Sequence, residues 1–136
     1  MGVCLAVYGE DLDPAAVTGL LGCSPTSAHR RGDRRGPRSP PQKRGGWFLD
    51  VRGTAPESAD ELAVVLLGRL PEDERIWMKL GTLHEVQLRF AIHMHGWNRG
   101  FGLSAATAAK IARLHADLVF DIYAHEDDEE MEEVGW

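Results

Sequence analysis

His93 and His95 stand two residues apart, a spacing that can do chemistry. Side chains alternate along an extended strand, so both imidazoles project from one side and can share a metal ion. Zinc would require a third ligand, and Asp50 or Asp121 would have to supply it. No further His or Cys lies close by in sequence, and two hydrogen-bonded surface histidines satisfy the same spacing. The expectation is a domain that folds and acts with no metal and no other cofactor.

Two further segments bear on anions. The stretch 96–102 is glycine-rich, contains Arg99 and precedes the helix-capping Ser104. Backbone N–H groups at a helix start, with Arg99, can hold an anion. The spacing matches neither a phosphate-binding P-loop nor a dinucleotide fingerprint, and a tight strand-to-helix connection explains it equally well. Residues 29–45 hold seven bases, Arg30, Arg31, Arg34, Arg35, Arg38, Lys43 and Arg44, against the single acid Asp33. Gly and Pro interrupt the segment, which excludes a helix or an interior strand and implies a long mobile loop. Arg30, Arg31, Arg34 and Arg35 are candidate phosphate contacts, which makes nucleic-acid binding one alternative. Little aromatic interleaving and an acidic overall balance count against it.

That balance is uneven along the chain. All 136 residues carry 15 bases and 21 acids, yet seven acids and no base fall in 126–136. This run has no periodic apolar positions, so residues 125–136 read as an acidic tail and 1–124 as one domain. At this length about two-thirds of the unfolded surface is buried on folding, enough for a core without staples. Cys4 and Cys23 have neither zinc nor redox spacing; one reads as a small buried hydrophobe, the other as a loop thiol. No apolar run approaches the ~18–20 residues that span a bilayer, and residues 1–8 lack the basic region of a signal peptide. A cytoplasmic protein is expected. With no Gly-x-Ser-x-Gly, no His-Glu-x-x-His and no convincing Cys/His pair, enzyme activity has no support.

The elements that position these residues follow from period and caps. Residues 3–8 alternate as a strand, with Val3, Leu5 and Val7 on one face. Asp13 caps a helix that has Pro14 at its first position and ends at Gly22, and Leu12 can staple against Val17. A second strand spans 47–52. Ser58 with Glu61 forms a capping box for a helix whose buried stripe is Leu62, Val65 and Leu66. Pro71 starts a short helix to Leu80, ended by Gly81. Residues 85–95 alternate most clearly, apolar Val86, Leu88, Phe90, Ile92 and Met94 against polar neighbours. A short strand around Phe101, a helix from Ser104 to Leu114 and a strand over 118–123 complete the pattern.

Strands mixed with helices on short connections imply an α/β two-layer sandwich. Helices cover one face of a mainly antiparallel or mixed sheet, with a ferredoxin-like pair of βαβ halves as one form. If they cover the face of Leu5, Leu49, Leu88 and Ile122, the other face carries Tyr8, Phe48, Asp50, Arg52, Gln87, Arg89, His93, His95, Asp121 and Tyr123. A solvated sheet face explains such a set. So does a binding surface, where aromatics give contact area and charges fix register.

Gly9-Glu10-Asp11-Leu12-Asp13-Pro14, Leu20-Leu21-Gly22 with Pro25-Thr26, and Gly46-Trp47-Phe48-Leu49 resemble a bacterial domain-of-unknown-function family, DUF4279. Leu103-Ser104, Ile111-Ala112, Asp117-Leu118 and Asp121-Ile122-Tyr123 fit the same pattern. The resemblance implies a compact bacterial cytoplasmic domain and brings no catalytic residues. The acidic tail and the arginine content of the loop lie outside it. The expected function is non-catalytic protein binding through Tyr8, Asp50, Arg89, His93, His95, Asp121 and Tyr123. Its specific form would be an immunity-type inhibitor of a basic toxin domain, which acidic charge would help to capture. The alternatives are a small-molecule or metal site, or an enzyme, on the His93/His95 face.

Overall fold

The computed structural model describes residues 1–53, 58–95 and 100–125, the side chains of His95, Ala124 and His125 excepted. In chain order the described elements are β1 (Gly2–Gly9), α1 (Pro14–Leu21), β2 (Ser27–His29), β3 (Gly45–Arg52) and α2 (Ala59–Leu67), then α3 (Glu74–Leu83), β4 (Glu85–His95), α4 (Ala105–Ala112) and β5 (Asp117–His125). The strands form one open mixed sheet in the order β2-β3-β1-β4-β5. Every neighbouring pair is antiparallel except β4 and β5, which run parallel. The first four strands form two interleaved βαβ halves in a ferredoxin-like order: β2 runs parallel to β1 with β3 between them, and β4 runs parallel to β3 across β1. The fifth strand is added by β4-α4-β5, whose parallel strands are direct neighbours. Among the described residues no helix is long and apolar enough to cross a membrane.

Alternation sorts the strands into two faces. Val3, Leu5 and Val7 of β1, Trp47, Leu49 and Val51 of β3, and Val86, Leu88, Phe90 and Ile92 of β4 are all buried on one side. Over them lie Val17 and Leu21 of α1, Leu62 and Leu66 of α2, and Trp77 and Leu80 of α3. Each fully buried aliphatic or aromatic side chain stabilises the fold by about 1.5–3 kcal/mol. Both buried indoles keep a hydrogen-bond partner: Trp47 Nε1 donates to Thr18 Oγ1 at 3.0 Å and Trp77 Nε1 to the Pro71 carbonyl at 2.9 Å.

The caps fall where the side chains require them. Asp13 accepts from Ala15 N, Ser58 and Glu61 form a complete capping box, and Ser104 accepts from Thr107 N. Ser104 N also donates to Asp60 Oδ1 at 2.8 Å, which ties the start of α4 to the first turn of α2. The third helix starts later than Pro71 suggests, since Asp73 caps it and the Pro71 carbonyl is occupied by Trp77. It runs through Gly81 to Leu83. In α2 the buried stripe is Ala59, Leu62, Ala63 and Leu66, and Val65 is exposed. No strand forms around Phe101 among the described residues. The three-residue β2 adds an edge the sequence pattern does not announce.

Besides Val65, one expected core position on the sheet is not buried. Ile122 shares the helix-side face, in register with Ile92, but is 58% exposed. The helices pack over β1, β3 and β4 and stop short of β5.

Candidate functional site

The uncovered face of the sheet is organised in cross-strand rows. Asp50, Cys4 and Arg89 stand side by side on β3, β1 and β4. Arg52, Gly2, Ala91 and Asp121 form the next row, and His93 opposes Tyr123 beyond it. In the other direction lie Phe48, Ala6 and Gln87, then Gly46, Tyr8 and Glu85. Small residues at Gly2, Ala6, Gly46 and Ala91 keep the middle of this face low. At Gly46 a Cβ would come within 2.7 Å of the Phe48 ring and 2.9 Å of the His29 ring, so glycine lets those rings fold across the strand.

A polar chain runs along β4. The Arg44 guanidinium pairs with Glu85 at 2.9 Å and lies 4.2 Å from the centre of the Tyr8 ring, a cation–π contact. Glu85 accepts from Gln87 Nε2, and Gln87 Oε1 accepts from Arg89 Nη1 at 2.8 Å. Arg89 Nη2 reaches Asp121 Oδ2 at 2.7 Å, and this partner holds the Arg89 guanidinium above its ordinary pKa. Asp50 sits 3.8 Å from Arg52. Aromatic contacts fill the rest: Tyr8 meets Phe48 edge-on at 5.5 Å and His93 stacks on Tyr123 at 5.0 Å.

Cys4 lies within this network, not in the core. Burial pushes its thiol up to about 12, and a hydrogen bond to Asp50 and that residue's negative charge add to the shift. The nearby Arg89 opposes it without prevailing. Cys4 is therefore a neutral thiol at physiological pH and a poor nucleophile.

The rows and the basic loop enclose a shallow basin of about 810 Å³. Tyr8, Asp50, Arg89, His93, Asp121 and Tyr123 all line it, so six of the seven residues expected on this face come together. The seventh, His95, has its backbone at the end of β4 and its side chain outside the described residues. Arg35 also lines the basin, although it belongs to the loop and not to the sheet. The loop reaches this position because it is folded. Gly32 N donates to Gln42 O and Gln42 N to Asp33 O, both at 2.8 Å, with Gly32 at a φ of 92°. Arg34 donates to the Ser39 carbonyl at 3.1 Å and flanks a smaller recess with Arg35.

The other loop arginines go elsewhere. Arg30 pairs with Asp13 at 2.8 Å and Arg31 with Asp11 at 3.2 Å, both at the start of α1. Arg99 and the acidic run 126–136 lie outside the described residues. Among the described residues no three His, Cys, Asp or Glu side chains are grouped to hold a metal ion. The basin thus offers aromatic surface, paired charges and one loop arginine, a set suited to binding.

The family model of a domain of unknown function, DUF4279, matches residues 1–125. This chain belongs to the DUF4279 family. In this DUF4279 domain the match takes in the arginine-rich loop together with every strand and helix described above. No curated protein and no solved structure matches the chain.

The sequence left two features of the site unread. The alternation that buries Val3, Leu5 and Val7 also sends Cys4 to the open face, which was a usable signal. Nothing in the spacing announces that Arg35 joins the sheet residues, since that depends on how the loop folds back.

Proposed function

We propose that this DUF4279 domain is a non-catalytic protein-binding domain that holds its partner on the open face of the sheet. One observation carries the proposal: the basin where Tyr8, Phe48 and Tyr123 supply aromatic surface between Arg35, Arg52, Asp50, Arg89 and Asp121. Aromatics and arginine dominate binding energy at protein interfaces because they desolvate large area and still form directed polar contacts.

Charge refines the partner. Asp50, Glu85 and Asp121 already face Arg52, Arg44 and Arg89, while Arg35 has no acidic partner among the described residues. The partner that fits therefore carries apolar or aromatic groups over the rings and a carboxylate opposite Arg35. An immunity-type inhibitor of a basic toxin is the narrower form of this proposal. The net negative charge that would attract such a toxin comes from the seven acids of 126–136, because residues 1–125 carry 15 bases and 14 acids. Nucleic-acid binding is less well served, since Arg30 and Arg31 are committed to Asp13 and Asp11.

The test is binding to the immobilised product of the neighbouring gene followed by surface plasmon resonance, which reads affinity and both rates, at low and high salt. Tyr8→Ala and Arg35→Ala are each expected to weaken binding by about tenfold or more, the loss of a good contact at an interface centre. Deleting 126–136 is expected to slow association and flatten its salt dependence while leaving the dissociation rate unchanged. Unchanged affinity in both face variants would remove the face as the binding surface.

A further inference from the structure

The opposite side of β5 poses a separate problem. Leu118, Phe120 and Ile122 point to the helix side, yet they are 46%, 44% and 58% exposed. Phe101, 39% exposed, stands beside Phe120 with ring centres 5.9 Å apart and widens the apolar strip. Among the described residues β5 is also an edge, pairing with β4 alone along its nine residues. Exposed edges are normally shortened, bulged, or blocked by Lys or Pro. The other edge obeys this rule, since β2 has three residues and leads into the arginine-rich loop. β5 contains no Lys, Pro or Gly.

We infer that β5 pairs antiparallel with β5 of a second copy about a two-fold axis, so that the sheet continues from one copy into the other. The sequence of the strand is self-complementary in one register. With the axis at Phe120, Leu118 opposes Ile122 of the second copy and Phe120 opposes its counterpart, so each apolar residue of the strip meets another. On the other face Asp117 opposes Tyr123 and Val119 opposes Asp121. Moving the axis to Asp121 puts that acid against itself, and moving it to Val119 puts Asp117 against Asp121. Like charges directly opposed are unfavourable, which leaves the Phe120 register.

Area agrees with this occupant. At roughly half exposure and ~200 Å² per large side chain, the four apolar residues leave about 350–400 Å² per copy. Two copies, with two backbone edges and the flanking side chains added, pass the ~1,000 Å² that a specific interface requires. The pairing also takes in Asp121 and Tyr123 at the border of the open-face basin, so Tyr8 on β1 and Arg35 in the loop, which lie away from β5, are the residues that separate partner binding from self-pairing.

Light scattering behind size exclusion tests it on the full chain. The wild type is expected to show twice the 15.0 kDa chain mass at tens of micromolar. Ile122→Lys and Phe120→Lys are each expected to give the single-chain mass with an unchanged far-ultraviolet spectrum, and Tyr8→Ala to remain double. Ile122→Lys carries the test if loss of the Phe90–Phe120 ring stack perturbs the second variant. Phe120→Cys is expected to form an intermolecular disulfide on mild oxidation, because residues facing each other across a two-fold have Cβ atoms about 5 Å apart. A wild type of single-chain mass, or a double mass that persists in Ile122→Lys, would overturn the inference. Cross-linking through Ile122→Cys in place of Phe120→Cys would overturn the register.

Discussion

The two faces of the central strands are made from the same residues taken alternately, and they keep their shape by different means. On the helix side Leu5, Leu49 and Leu88 touch apolar neighbours and no water. On the open side Cys4, Asp50 and Arg89 occupy adjacent positions of the same strands and are held by ion pairs and hydrogen bonds within reach of solvent. Burial gives the first face its energy. The second contributes little to stability, because partly exposed ion pairs typically yield below ~1 kcal/mol. It is therefore free to be specified by what it contacts, which is the physical basis for placing binding there.

Leu88 and Arg89 make the sharpest test, being consecutive residues on opposite faces of β4. Leu88→Ala is expected to cost about 2–5 kcal/mol in chemical denaturation, from lost burial plus the cavity left behind. Arg89→Gln, which breaks the pair with Asp121 at the half-exposed surface, is expected to cost less than ~1 kcal/mol. Equal losses would erase the distinction between the faces.

The smallest effect separates the two cysteines. At neutral pH Cys4→Ala is expected to leave the melting temperature nearly unchanged. The folded protein keeps the Cys4 proton up to about 12, whereas the unfolded chain releases it near 9.0. Proton binding is then greater in the folded state, so stability falls as pH rises through that interval. The fall measured by denaturation should be shallower in Cys4→Ala than in wild type. Cys23, raised by burial to a lesser degree, is expected to react first with a thiol reagent at pH 8. Faster modification of Cys4 would place it outside the network with Asp50.

Much of the fold was legible because local and global cues agreed. Glu85–His95 alternates without a break, and Asp13, Ser58 and Ser104 cap where they stand. What escaped did so for identifiable reasons. Ser27–His29 has no apolar period, since it is a short edge with nothing to bury. Pro71 resembled a helix start, but a carbonyl engaged by a tryptophan six residues on cannot be seen in the order of residues. Ile122 carried the alternation of a core residue, yet coverage depends on how many helices reach β5. In the site, the sheet residues followed from period two alone. Arg35 did not, because its place depends on hydrogen bonds inside the loop.

The order of the strands also has a consequence in time. β1 lies at the middle of the sheet, with Gly2 paired to Arg52 on one side and to Ala91 on the other. On a ribosome adding ~5–20 residues per second, the second partner emerges several seconds after the first. For that interval the nascent chain carries an open strand edge bearing Val3, Leu5 and Val7 with half of its neighbours still unmade. A synonymous change that slows translation between β3 and β4 should lengthen this exposure and lower the yield of folded protein without altering any contact in the finished molecule.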